Sequence, residues 1–156
     1  MKTLLIAILT LASTTLFAQN TVTWKGGTPG KENKWNESKN WSDNQVPDEN
    51  TNVIIKAMNT GHFAQPVVDE AVEVASIELQ AGAKLTVTAS GSVMIDGSDI
   101  YTIGIVSYGG TLVNKGLINL INIDNFSTVD FQEIHSGNGT VLLDNQSINA
   151  KYYAKK

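Results

Sequence analysis

Short apolar runs rich in Val, Ile and Leu, separated by Gly, Asn and Asp, set the texture of the chain beyond Asn52. They are Val53–Ile55, Val72–Leu79, Leu85–Thr88, Val93–Ile95, Ile103–Val106, Leu112–Val113, Leu117–Ile123 and Val141–Leu143. Runs of this length, β-branched and bounded by turn formers, predict strands. The stretch Asp69–Ala75 has weak helical character. Its neighbours Val67 and Val68, with the alternating Val72 and Val74, suit a strand better, because β-branched side chains lose rotamer freedom in a helix. The pattern therefore predicts an all-β fold.

Aligning the Gly-anchored runs exposes an internal repeat. Gly82-Ala-Lys-Leu-Thr-Val87 resembles Gly109-Gly-Thr-Leu-Val-Asn114, which resembles Asn138-Gly-Thr-Val-Leu-Leu143, with starts 27 and 29 residues apart. Each is followed by a second run, Val93–Ile95, Leu117–Leu120 and Ser147–Asn149. A unit of strand, Gly or Asn corner and strand cannot cover its own apolar face, so stacked coils are the natural way to build a core. The expected architecture is a β-solenoid. An antiparallel β-sandwich is the alternative, and the two-residue hairpin signal it needs occurs only at Asp96-Gly97.

Thr21 to Pro47 has a different character: Trp24, Trp35 and Trp41 lie among Gly, Lys, Asn and Ser, with few aliphatic residues. That composition predicts an irregular, aromatic-pinned segment. The expected organisation is a signal peptide at 1–18, an irregular Trp-rich N-terminal cap at 19–51, β-solenoid coils at 52–150 and a C-terminal tail at 151–156. The signal is read from Lys2, the apolar Leu4–Leu11 and a cut near Ala18. A membrane anchor is the competing reading, but Ser13, Thr14 and Thr15 dilute the stretch below what spanning a bilayer favours. The mature chain is thus expected to be secreted, periplasmic or at the cell surface, with no membrane span after cleavage.

Trp24-Lys-Gly-Gly27, Trp35, Asn40-Trp41, Val46-Pro47, Asn52–Ile55, Pro66–Val68, Ser76–Leu79 and Gly82–Val87 together carry a family resemblance. This block resembles the opening of secreted bacterial right-handed β-helix, adhesin-like proteins, in which a "W…W…NW…P…V.I" cap precedes "L.I..GA.LTV" coils. Gly110-Thr-Leu-Val-Asn-Lys-Gly116 is similar to their "GTL.N.G" coil. A more distant similarity, to G8-type extracellular β-helix modules, rests on the same spacing. The resemblance covers roughly Thr21 to Asn149, and it implies a right-handed parallel β-helix used as a structural or adhesive module.

Composition narrows the function. All 11 basic residues are Lys, against 15 acidic ones, for a net charge of −4. That sign opposes phosphate neutralisation, and without Arg the chain lacks the bidentate fork for phosphate, carboxylate or guanine, so no nucleic-acid partner is expected. With no Cys, stability has to come from packing and backbone hydrogen bonds.

Candidate chemistry is thin. The two His, His62 and His135, stand without Cys or a Gly-x-Ser-x-Gly elbow, and Ser90-Gly91-Ser92 reads as a turn. Asp96 and Asp99 are the candidate calcium ligands; Asp43, Asp48 and Glu49 form a second acidic group, and neither matches an EF-hand loop. Trp24, Trp35 and Trp41 are the candidate carbohydrate-binding residues, because exposed indoles stack on sugars. The competing role is a plug for the open end of the stack, with Trp35, between Lys34 and Asn36, the most exposed of the three. Thr86, Thr111 and Thr140 do not form an ice-binding ladder, since Thr111 and Thr140 align with Lys84 and Thr86 lies opposite Val113. Asn114, Asn119, Asn145 and Asn149 read as stacked corner residues.

The expectation is a secreted, non-enzymatic adhesive, matrix or structural module with no cofactor, whose partner is a polysaccharide or another envelope or matrix protein. A carbohydrate-binding module with exposed Trp is the first alternative, and a calcium-assisted polysaccharide lyase the second.

Overall fold

The computed structural model describes residues 20–58, 64–97, 104–123 and 133–148, and the expected signal peptide lies outside them. Among the described residues, thirteen strands form three sheets. The first holds β1 (Asn20–Thr23), β2 (Thr51–Ile55), β5 (Ser76–Leu79) and β8 (Ile105–Ser107), in that order. The second runs β3 (Val67–Val68), β6 (Lys84–Val87), β9 (Thr111–Asn114) and β11 (His135–Ser136). The third runs β4 (Ala71–Glu73), β7 (Ser92–Asp96), β10 (Leu117–Ile121), β12 (Thr140–Leu143) and β13 (Gln146–Ser147). Every pair of neighbouring strands is parallel except β12 with β13. An antiparallel sandwich is therefore not what forms.

From β2 to β10 the strands visit the three sheets in turn, then β11 lies in the second sheet and β12 and β13 in the third, and the register gives the offset between neighbours. Lys84 lies beside Thr111 and Thr86 beside Val113, so the 27-residue spacing between the first two Gly-anchored runs is realised. The 29-residue spacing is not. Thr140 lies beside Leu117 in the third sheet, while the second-sheet neighbour of Leu112 is His135. Asn138–Leu143 looks like the earlier runs because it too leaves a glycine corner and alternates inward and outward residues, but it belongs to a different sheet.

Three further expectations are corrected. Val72–Leu79 is not one strand: it breaks at the buried Val74 and Ala75, which turn the chain from the third sheet into the first. Ser147 does not begin another parallel run, because β13 folds back antiparallel on β12. The two residues between them, Asp144 and Asn145, have φ of 48° and 62°, the left-handed pair that a tight hairpin needs and that Asp and Asn tolerate. At Asp96-Gly97, where the hairpin signal stood, Gly97 instead donates to the Ile121 carbonyl of the neighbouring strand.

Alternation with period two sends one residue in two inward. The register stacks these into rows: Val22, Val53, Ile77 and Ile105 in the first sheet, Leu85 and Leu112 in the second, and Val93, Ile118 and Val141 in the third. All are buried and join one core cluster. Asn114 occupies the row of Val87 and is fully buried. It is tolerated because its Oδ1 accepts from Gly116 N at 3.0 Å and its Nδ2 donates to the Thr140 carbonyl at 3.1 Å. It does not stack on Asn145, which instead accepts from Asn119 at 3.5 Å; Asn149 lies outside the described residues. At the same corner a Cβ on Gly116 would stand 2.1 Å from the Gly91 carbonyl oxygen, so close backbone approach requires glycine there.

Candidate functional site

The segment between β1 and β2 is irregular, as its composition predicts, and its geometry rests on the three indoles. Trp41 is at the centre: its ring meets Trp24 edge-on at 4.9 Å and Trp35 at 4.7 Å between centroids. Such edge-to-face pairs add to the burial of large apolar surface. Trp41 Nε1 donates to the Trp35 carbonyl and Trp24 Nε1 to the Ala64 carbonyl, both at 2.8 Å. Gly26, at φ 60°, lies over the latter bond, where a Cβ would come within 2.8 Å of the Ala64 oxygen. The Trp35 Nε1 is buried without a hydrogen-bond partner among the described residues.

Asn40, to which no role is assigned from the sequence alone, ties the segment together. It sits in the 3-10 turn Ser38–Asn40 and is fully buried. Its Oδ1 accepts from Thr28 N at 3.0 Å, and its Nδ2 donates to the Lys31 and Lys34 carbonyls at 2.7 and 2.9 Å. Its own carbonyl accepts from Lys25 N and Gly26 N. The signal that could have found it is the type of residue: a short amide inside a Gly- and Lys-rich irregular stretch is the side chain best suited to satisfy stray backbone groups.

All three indoles are buried, with Trp24 2% exposed, Trp35 1% and Trp41 0%. Trp35 is thus not the exposed member. Its ring turns inward onto Trp41 while Lys34 and Asn36 face outward. With no indole face open, the stacking on sugar rings expected of Trp24, Trp35 and Trp41 has no platform in this arrangement. What the segment does is close sheet edges. Trp24 and Trp41 form an antiparallel bridge alongside β1, with Ser42 N donating to the Thr23 carbonyl. Lys34 bridges Val67 in parallel, so that Val67 N donates to the Asn33 carbonyl and Trp35 N to the Val67 carbonyl along the outer edge of β3.

Where the segment meets the β3–β4 corner, Lys31, Lys34, Asn36, Glu37, Asp69 and Glu70 line a shallow cleft of about 270 Å³. Lys31 pairs with Glu37 at 2.8 Å and Lys34 pairs with Asp69. The Lys31 hydrogen bond holds the Glu37 carboxyl below its ordinary value. No spacing in the sequence announces this cleft, because Asp69 and Glu70 arrive from a different strand corner.

The acidic candidates are occupied with local structure. Asp96 is exposed and its Oδ1 accepts from Asn122 Nδ2 at 3.0 Å; Asp99, its expected calcium partner, lies outside the described residues. Asp43 accepts from Gln45 N and from Asn20, and Asp48 from Asn50 N and the Thr51 hydroxyl. Among the described residues no three His, Cys, Asp or Glu side chains gather closely enough to hold a metal ion. His135 is half-buried on β11, where desolvation lowers its pKa; His62 lies outside the described residues.

No curated protein and no solved structure matches the chain. One family model does, over residues 23–153, from the bridge strand of the first indole through the last described strand. The chain therefore belongs to that family, which is described as a domain of unknown function, DUF8693.

Proposed function

We propose that the chain is a secreted, non-enzymatic right-handed β-solenoid that serves as an adhesive, matrix or structural module outside the cytoplasm. The observation that carries this reading is the rotation of successive strands through three sheets in parallel register, with offsets such as 27 residues from Lys84 to Thr111 and 23 from Leu117 to Thr140. Right-handed crossover between parallel strands is the near-universal hand, which supports the handedness. The N-terminal apolar stretch after Lys2 supports export. In such a module the cap and the rows of inward aliphatic residues build a rigid rod, and the outward residues of the three sheets present the contact surface. A polysaccharide or another envelope or matrix protein is the partner.

The test is to express the full chain in a secreting bacterial host, recover it from the exported fraction and measure its intact mass. The exported protein is then presented to envelope and matrix preparations. Loss of residues 1–18 and saturable retention on those preparations are expected. A protein that keeps residues 1–18 in the cytoplasm, or is not retained by either preparation, overturns the reading.

A further inference from the structure

The outer faces of the three sheets differ in chemistry. On the first, the outward rows read Thr21, Asn52, Ser76 and then Thr23, Ile54, Glu78, Val106. On the second, Lys84 lies beside Thr111 and Thr86 beside Val113. On the third, the outward positions carry Met94, Leu117, Ile121 and Leu142 around Asn119. These four apolar side chains are half-buried, yet they belong neither to the core cluster nor to the residues packed against it. Asn119 Oδ1, in their midst, is buried with no hydrogen-bond partner among the described residues, an arrangement that leaves an acceptor uncompensated. Acidic residues rim the face: Glu73 beside Met94, Asp96 beside Ile121, and Asp144 at the end of β12.

We propose that this face is the docking surface for residues 149–156 of the same chain. That segment, Asn-Ala-Lys-Tyr-Tyr-Ala-Lys-Lys, lies outside the described residues and offers the complementary chemistry: two adjacent aromatic rings for the apolar patch and Lys151, Lys155 and Lys156 for the acidic rim. Its point of departure fits. Ile148, the last described residue, donates its N–H to the Val141 carbonyl at the edge of the third sheet. Its length fits as well. Eight extended residues reach about 26–29 Å, whereas the four strand spacings from β13 to β4 measure about 19 Å at roughly 4.8 Å each. Because adjacent side chains of an extended segment point to opposite sides, one ring of the Tyr152–Tyr153 pair docks over the row of Met94, Asn119 and Leu142 and covers the patch.

The test reads the methionine methyl groups by carbon-13 NMR in the full chain, comparing it with the Tyr152→Ser/Tyr153→Ser variant. Met94 lies on the face, and Met58, packed against the core, is the internal control. The expected result is a Met94 methyl resonance displaced upfield by ring current in the parent, with that displacement lost in the variant. The Met58 resonance stays in place, and both spectra are independent of protein concentration. Raising the salt concentration shifts Met94 partway toward its position in the variant, because the Lys contacts are screened. Identical Met94 resonances in parent and variant overturn the proposal, and so does a difference that appears only as concentration rises, which assigns the face to a segment of another molecule.

Discussion

The two ends of the sheets are closed by opposite means. At the N-terminal end, an irregular segment spends three indoles and one buried amide to cover the edges of the first and second sheets, relying on side-chain bulk and on side-chain-to-backbone hydrogen bonds. At the far end of the third sheet, the chain reverses through Asp144 and Asn145 and lays β13 along β12, using backbone alone. The first solution holds because large apolar surface is buried, so it is costly to damage, and its path needs left-handed backbone at Gly26, Gly27, Gly30 and Asn44. The second is economical, and it depends on two residues that accept a left-handed conformation.

The largest effect is expected from Trp41→Ala, which removes the ring both other indoles pack on. Chemical denaturation should show a loss of about 3–5 kcal/mol, in the range for emptying a buried Trp site. A loss below that of an ordinary surface substitution would mean that the cap is not built on Trp41. Next comes Asn40→Ala, which takes the acceptor from Thr28 N and one of two hydrogen bonds from each of the Lys31 and Lys34 carbonyls, which keep those from Lys34 N and Glu37 N. The expected cost is about 1–3 kcal/mol by the same measurement. Asn145→Val should cost less, about 1–2 kcal/mol, because a β-branched residue is forced to φ near 62°. Here amide exchange is the sharper readout, with Ile148 losing protection while Trp24 and Val67 keep theirs.

The smallest effect separates the ends by pH. Burial depresses the His135 pKa below 6.5, so the unfolded chain binds the proton more readily and stability falls as pH drops from about 6.5 through the folded value. Glu37 in the cap is also depressed, from 4.5, and its contribution is present above that value and lost only as pH falls below it. Acid titration followed by amide exchange should therefore loosen the β11 region first and the cap later, and His135→Gln should flatten the earlier phase. Simultaneous loosening of both regions near pH 6 would contradict this order.

The strands were legible in the sequence because short β-branched runs between glycines have few other uses, and the 27-residue offset was legible because Gly82–Val87 and Gly109–Asn114 share both corner and alternation. The following offset was not, since β11 is only His135 and Ser136, too short and too polar to register as a run, which let Asn138–Leu143 stand in for it. The hairpin was written in Asp144-Asn145, yet Asn beside a corner serves equally well as a ladder residue, and only the backbone torsions decide. The three Trp were legible as a cap, but the order of their exposure was not: in an irregular stretch, the polarity of Lys34 and Asn36 says nothing about where residue 35 points. The cleft lined by Lys31, Glu37 and Asp69 had no sequence signature at all, because spatial neighbours 30 or more residues apart carry no period.

The closed edges bear on how such a chain can lengthen. Each sheet carries an irregular or reversed addition at one edge: the cap bridges beside β1 and along β3 in the first and second sheets, and the two-residue antiparallel β13 borders the third, so a stacked copy meets no regular parallel edge there. Open-ended fibre growth by strand addition is thereby obstructed. Extra length has to enter between existing strands, as an inserted stretch the size of the observed offsets that begins and ends in the same sheet, which leaves both terminators where they are and turns the number of internal units into the one free variable of the design.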